Sequence, residues 1–205
     1  MNPKSSPIAL AVLALLSEAA MHPYRMQRLI KERGKDEVIN VHQRASLYQT
    51  IQRLTREGLI CAQQTIRDDK RPERTVYEIT ARGREIAIQW MREILSTPAM
   101  EYPEFPAAMS FLPLLSPEDA LHQLELRAQA MEAELRRTGE LLQQAAAVPR
   151  LFLLEAEYVR ALQSTELSWL RAVVEDLRAG RLTWSEAWLR QMSEQFSPNL
   201  PSGSE

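Results

Sequence analysis

Residues 44–60 read RASLYQTIQRLTREGLI, and the spacing of the apolar residues in this stretch predicts a helix. Leu47, Ile51 and Leu54 recur about one helical turn apart, so they share one face. Gly58 follows them, and glycine is the usual residue just after a helix end. We therefore expect a helix over about residues 44–57 that buries this apolar face.

The opposite face of this predicted helix is polar, and no acidic residue occurs from Val41 to Arg56. Glutamine can bond adenine edges, arginine can bond guanine edges, and alanine can contact a thymine methyl group. We predict that this face enters a DNA groove, although a merely solvated polar face stays open as the alternative. The candidate DNA-contacting residues here are Gln43, Arg44, Ala45, Ser46, Tyr48, Gln49, Gln52 and Arg53.

Two strand-like runs, residues 61–67 and 74–79, follow the helix and flank the polar sequence Asp-Asp-Lys-Arg-Pro-Glu. This pattern predicts a β-hairpin, or wing, whose basic residues are Arg67, Lys70, Arg71 and Arg74. Contacts of such residues with phosphate add affinity and salt dependence but do not select a sequence. A solvated turn remains the alternative, because Asp68, Asp69 and Glu73 partly cancel the charge.

Three further helices are predicted around this segment. Residues 7–17 are apolar on nearly every side, which is typical of a buried helix. Pro23 suits the first position of a second helix and Gly34 suits its end, while Thr80 can cap another helix over residues 81–95. The order helix, helix, polar helix, basic hairpin and helix predicts a winged helix-turn-helix domain over residues 1–96.

The charge is divided between the two halves of the chain. Residues 1–96 hold 16 Lys and Arg against 11 Asp and Glu, whereas residues 97–205 hold 9 against 16. The first half is therefore basic, with a net charge of +5, and the second is acidic, at −7. This division indicates that the first half meets a polyanion.

The N-terminal half resembles the PadR family of bacterial transcriptional regulators. The matching segments are IALAVLALLSEAAMHPYRMQRLIKERG, RASLYQTIQRLTREGLI and RTVYEITARGRE, which together cover most of residues 8–85. The resemblance implies a dimeric, ligand- or stress-responsive repressor of a nearby operon, bound to an ATGT…ACAT-type inverted repeat in double-stranded DNA. It also implies that Ser46 and Tyr48 lie near DNA and that residues 67–74 form the wing.

Two stretches depart from the family pattern. His22, Pro23 and Tyr24 stand where His-Gly-Tyr is commoner, which we expect to alter a helix start and nothing more. The segment KDEVINVHQ at residues 35–43 is slightly lengthened, which leaves open the register in which the following helix meets the bases.

The C-terminal half is predicted to be helical. A proline-rich linker over residues 97–106 precedes a helical domain over residues 107–196, and residues 197–205 are expected to be a disordered tail. Ser116 begins a long helix, residues 151–179 form a second, and Thr183 with Glu186 makes a capping box for a last one. The fold class is therefore mainly α, a winged helix-turn-helix domain followed by an α-helical dimerisation domain.

The first long helix carries a seam of apolar residues spaced alternately three and four apart, as in a coiled coil. Its members are Leu121, Leu124, Ala128, Met131, Leu135 and Leu142. Because these helices offer more apolar surface than they can cover alone, we predict a homodimer formed along the seam. An intramolecular bundle in a monomer is the alternative.

A ligand site is less clearly indicated. Trp169, Trp184 and Trp188 are candidate walls for a small aromatic effector, since tryptophans in one subgroup of the family stack on flat drugs. Trp90, Tyr102, Phe105 and Phe111 are further possibilities. Packing in the core or in a dimer is the favoured explanation of the same residues.

The sequence argues against several other classes of protein. The apolar run at residues 8–16 is too short to span a bilayer, the single cysteine, Cys61, allows no internal disulfide, and the histidines lack metal-ligand spacing. We expect a cytoplasmic protein with no membrane segment, metal, cofactor or enzymatic activity. The competing function is a winged helix that contacts a protein partner instead of DNA.

Overall fold

A computed structural model describes residues 3–41, 44–68 and 71–196; for Arg44, residues 64–68 and 71–74, and Phe196 it describes the backbone. The chain divides into two compact units, residues 1–100 and residues 101–205. In the described part of the chain, no helix is both long enough and apolar enough to cross a membrane.

The first unit has the predicted winged helix-turn-helix fold. Its elements are α1 (Pro7–Glu18), α2 (Pro23–Glu32), α3 (Arg44–Arg56), β1 (Ile60–Asp68), β2 (Arg71–Ile79) and α4 (Ala81–Ser96). The two strands pair antiparallel, from Ile60 opposite Ile79 to Asp68 opposite Arg71, with register shifts between Ala62 and Gln64 and between Ile66 and Asp68.

The core of the first unit forms around α1. Ala9, Val12 and Leu13 are fully buried, which explains why this helix is apolar on most sides. Helices α3 and α4 and strand β2 all pack against it. Leu47, Ile51 and Leu54 of α3 are buried in the same cluster, so the opposite face of α3 is directed outwards.

The helix ends in this unit follow from local chemistry. The side chain of Ser6 accepts a hydrogen bond from the Ala9 amide at 3.2 Å and caps α1. Helix α2 begins at Pro23 and is followed by Gly34, whose φ of 64° is the left-handed conformation that favours glycine. Thr80 Oγ1 accepts from the Gly83 amide at 3.0 Å and so caps α4.

The second unit is helical throughout. Its elements are α5 (Glu104–Ser110), α6 (Pro117–Gln144), α7 (Leu154–Arg178) and α8 (Glu186–Phe196). Helices α6 and α7 pack antiparallel, since Glu125 pairs with Arg178 near one end and Glu132 pairs with Arg171 further along. Ser116 caps α6 as predicted, through a 3.2 Å bond from the Asp119 amide.

Two expectations for this unit were wrong in detail. Helix α5 begins at Glu104, inside the predicted linker, with Pro103 before its first residue and Pro106 in its first turn. Prolines are tolerated there because the first amides of a helix have no intrahelical acceptor to lose.

The last helix, α8, is capped by Ser185 and not by Thr183. The Ser185 hydroxyl oxygen accepts a hydrogen bond from the Trp188 amide at 3.2 Å. Residues 197–205 lie outside the described residues.

Candidate nucleic-acid interface

The outward face of α3 has the composition that the sequence predicted. Ala45, Gln49 and Gln52 are exposed, and Tyr48 is 46% exposed. Ser46 is half-buried, and its carbonyl oxygen accepts a hydrogen bond from Thr50 at 2.8 Å. The structure therefore brings four of the eight candidate residues of this segment together on an accessible surface.

The other candidates at α3 are placed differently. Arg53 is half-buried; its Nη1 donates to the carbonyl oxygen of Lys4 at 2.9 Å and lies 3.4 Å from both carboxylate oxygens of Glu57. These contacts tie Arg53 to the segment before α1 and to the last turn of α3. Gln43 lies outside the described residues, and Arg44 is described by its backbone.

The wing is a two-stranded extension whose base is fixed to the helices. Met21 and Tyr77 exchange backbone hydrogen bonds of 3.0 and 3.1 Å, so strand β2 is joined to the turn between α1 and α2. Thr80 Oγ1 also donates to the carbonyl oxygen of Gly58 at 2.8 Å, where α3 leads into β1. The wing is therefore held beside α3.

The basic candidates of the wing are placed by backbone register. On β2, Arg74 lies opposite Ile66 and Arg71 lies opposite Asp68. On β1, Arg67 lies between Ile66 and Asp68. Lys70 lies outside the described residues. All three described arginines therefore belong to the distal part of the hairpin, beyond the pairing of Ala62 with Tyr77.

An exposed ion pair links the ends of α1 and α2. The two terminal nitrogens of Arg33 donate to the two carboxylate oxygens of Glu18 at 2.6 and 2.7 Å. The hydrogen bonds from Arg33 hold the pKa of the Glu18 carboxyl below its usual value and raise the pKa of the guanidinium. This bidentate contact joins the end of α1 to the end of α2.

In the second unit, the predicted dimer seam is used within the chain. Leu124 and Ala128 of α6 are buried against Leu167, Leu170, Val174 and Leu177 of α7, and Leu121, Met131 and Leu135 pack against the same cluster. Leu142 is half-buried and borders a small cleft with Arg160 and Ala161 of α7. Helix α7 therefore covers much of this seam within the chain, because periodicity shows which face is buried but not which helix covers it. That the seam joins two copies stays a prediction.

Another apolar face of this unit is left uncovered. Helix α7 turns Leu154, Tyr158, Leu162 and Trp169 outwards, and all four are exposed. They lie on one side of the helix, away from the residues that pack against α6. We refer to these four residues as the outer stripe of α7.

The three candidate tryptophans do not share one site. Trp169 borders an open cleft of about 860 Å³ with Phe105 and Leu162. Trp184 packs against the α6–α7 cluster, and its indole N–H donates to the carbonyl oxygen of Leu115 at 2.9 Å. Trp188 is exposed on α8.

The cleft beside Trp169 contains a charged pair that the sequence did not reveal. The rings of Phe105 and Trp169 meet edge to face, with centroids 6.3 Å apart. The guanidinium of Arg127 lies 3.6 Å from the centre of the Phe105 ring and donates to Glu166 Oε1 at 2.6 Å. These residues come from α5, α6 and α7, so spacing within any one helix could not have indicated the site.

Comparison with known proteins supports the fold and shows a family to which the first unit is similar. The model described as "Transcriptional regulator PadR-like family" matches residues 12–88. No curated protein sequence matches the chain.

Solved structures match over most of the chain. Bacillus subtilis PadR in complex with operator DNA matches with a TM-score of 0.67 at 20% identity, over 85% of this chain and 99% of that chain. Bacillus subtilis PadR in complex with p-coumaric acid gives 0.68 at 18%, over 84% and 99%. The Vibrio cholerae virulence activator AphA gives 0.63 at 17%, over 84% and 98%.

At these identities the structures establish a shared fold, and the family model supplies the sequence relationship. Both agree with the arrangement of α1 to α4 around the wing. The first unit is thus similar, over residues 12–88, to the transcriptional regulator PadR-like family, and the chain as a whole shares the fold of Bacillus subtilis PadR.

Proposed function

We propose that this protein is a DNA-binding transcriptional regulator that recognises an inverted-repeat operator as a homodimer. The observation that carries the proposal is the acid-free, exposed face of α3, with Tyr48, Gln49 and Gln52, held beside a wing that bears arginines. The solved complex of Bacillus subtilis PadR with operator DNA, which has the same fold, supports it.

In this proposal α3 enters the major groove and the wing contacts the backbone. Gln49 and Gln52 are long enough to bond base edges, and the Ala45 methyl group can meet a thymine methyl. Tyr48 and Ser46 lie at the flank of that face, where hydroxyl groups can donate to phosphate. Arg67, Lys70, Arg71 and Arg74 add sequence-independent attraction. Arg53 has a supporting role instead, because it is bonded to Lys4 and Glu57.

The regulator acts as a repressor in this proposal, and a small-molecule or stress signal releases it. Two copies held about 34 Å apart present one α3 to each half of an inverted repeat. A signal that changes that distance weakens binding without touching the DNA-contacting residues. AphA, which has the same fold, is named as an activator. Whether this protein represses or activates transcription is therefore to be measured.

The decisive experiment is fluorescence anisotropy with labelled DNA from upstream of the protein's own gene, with a scrambled duplex as control. We expect tighter binding to the first duplex and a steep loss of affinity as salt rises. The double variant Arg71→Ala/Arg74→Ala should weaken binding to both duplexes and flatten the salt dependence. Binding that is insensitive to salt and to this variant would favour a protein partner instead.

For the effector we propose a small aromatic molecule in the cleft beside Trp169. This cleft combines apolar walls with polar groups. The rings of Phe105 and Trp169 form the walls, and the Arg127–Glu166 pair supplies the polar groups. Titration with p-coumaric acid, the ligand named for Bacillus subtilis PadR, should quench tryptophan fluorescence. The change should be lost in Trp169→Phe and kept in Trp188→Phe. Equal quenching in both variants would contradict a site at Trp169.

A further inference from the structure

Two arginines of the second unit differ from the others in having no carboxylate partner. The second unit is rich in acidic residues, and seven of its nine arginines form an ion pair with a described glutamate or aspartate. Within the described part of the chain, Arg136 of α6 and Arg160 of α7 form no such pair. In a unit with this excess of carboxylates, two unpaired arginines are positive groups open to an external anion.

Both arginines border the same cleft between α6 and α7, which has a volume of about 530 Å³. Arg136 lies one turn before Gly139 on α6. The guanidinium of Arg160 lies against Gly139, because a Cβ atom added there would be 3.6 Å from Arg160 Nη2. The two arginines therefore reach the cleft within about one helical turn, about 5 Å, of each other. Like charges this close repel, and an anion between them would remove the repulsion.

Gly139 keeps the wall of this cleft free of a side chain. Glycine inside a helix is less favourable than alanine, and Gly139 does not have a positive φ that would require it. The three atoms nearest to an added Cβ all belong to the Arg160 guanidinium, at 3.6 to 3.8 Å, so a close backbone approach does not require it either. The effect of glycine here is open space beside a guanidinium group.

The other polar groups of the cleft are suited to hydroxyl groups. Glu132 lies at one end, where its Oε1 accepts from Arg171 Nε and Nη2 at 3.2 and 2.7 Å. Glu140 and Gln143 also border the cleft. Carboxylates accept hydrogen bonds from hydroxyl groups, and an amide both donates and accepts. Three arginines against two glutamates leave the lining positive, so the cleft combines an anion site with hydroxyl partners.

We propose that this cleft binds a small phosphorylated polyol, such as a sugar phosphate, with its phosphate between Arg136 and Arg160. Guanidinium groups bind phosphate through paired N–H donors, and the glutamates and Gln143 take the hydroxyl groups. The site is separate from the aromatic cleft beside Trp169, with which it has no lining residue in common. Because its residues come from two helices, a bound ligand joins α6 to α7 and stabilises the folded unit.

Calorimetric titration of the full chain with glucose 6-phosphate tests the site, with glucose and inorganic phosphate as comparisons at equal ionic strength. We expect glucose 6-phosphate to bind at least about 10-fold more tightly than inorganic phosphate, and glucose to show no binding. Arg136→Gln/Arg160→Gln should raise the dissociation constant of glucose 6-phosphate by about 100-fold, through the loss of two charged donors. The matched control is Arg181→Gln/Arg190→Gln, which removes the same charge from the unit outside the cleft and should leave binding unchanged.

Gly139→Leu tests the space in the cleft without changing its charge. The added side chain should fill the region beside Arg160 and abolish binding. Thermal unfolding without ligand shows whether each variant is folded, and glucose 6-phosphate should raise the melting temperature of the wild type and of the control only. The proposal would be overturned by no binding, by equal binding of inorganic phosphate and glucose 6-phosphate, or by equal binding in folded cleft variants and the wild type.

Discussion

Tyr48 tests the DNA-contacting surface with little effect on folding. Its side chain is nearly half exposed, whereas its neighbour Leu47 is buried in the core. We expect Tyr48→Ala to weaken operator binding by about 10-fold, in line with the loss of one direct contact. The free energy of unfolding, measured in urea, should change by less than about 0.5 kcal/mol. Unchanged operator affinity would remove Tyr48 from the interface.

Gly83 is required by a close approach of the backbone. A Cβ atom at this position would collide with the carbonyl oxygen of Leu59 and crowd the side chain of Ile79. We expect Gly83→Ala to lower the free energy of unfolding by about 3 kcal/mol, because the backbone of Leu59 cannot move without disturbing the start of β1. Urea unfolding of the purified variant measures this change.

Gly139 is the matched control for that substitution. It also lies in a helix, but the nearest atom to its added Cβ would be the flexible end of Arg160 at 3.6 Å. Gly139→Ala should therefore stabilise the protein by about 0.5–1 kcal/mol through helix propensity. A similar destabilisation in both variants would contradict the steric explanation at Gly83.

The Glu18–Arg33 pair gives the first unit a pH dependence of known sign. The pKa of Glu18 is lower in the folded state than in the unfolded state. The ion pair therefore stabilises the folded protein above the usual carboxyl pKa, and this stabilisation is lost as the pH falls through the pKa of the folded state. Both side chains are largely exposed, so the contribution at neutral pH should be about 0.5 kcal/mol. Between pH 6 and pH 3, the melting temperature of Arg33→Met should fall by less than that of the wild type. Parallel curves would show that the pair contributes nothing.

Helix α7 has two apolar faces with different roles, and substitutions should separate them. Leu170 is fully buried against α6, so Leu170→Ala should cost about 2–5 kcal/mol of unfolding free energy. Leu162→Ala, on the outer stripe, should change the stability of an isolated protomer little. Urea unfolding at low protein concentration measures both, and equal losses would show that the two faces are not distinct.

Helix ends were predictable because their chemistry is local. Thr80 and Ser116 cap helices with their own side chains, and Gly34 adopts a left-handed conformation that its sequence position indicated. The start of α8 was misplaced by two residues, because Thr183 and Ser185 are chemically equivalent caps. Trp184 lies between these two residues, and its indole N–H donates to the carbonyl oxygen of Leu115, a contact that short-range spacing does not reveal.

The order of helices and strands in the first unit and the polar face of α3 follow from sequence periodicity, since they depend on spacing within short segments. The contacts that spacing did not predict join residues that meet only after folding. Arg53 is bonded to Lys4, the seam of α6 is covered by α7, and Phe105, Arg127 and Trp169 share a cleft. Amphipathic spacing determines which face of a helix is buried. Only the tertiary structure decides which neighbour buries it, because any complementary apolar surface satisfies the same pattern.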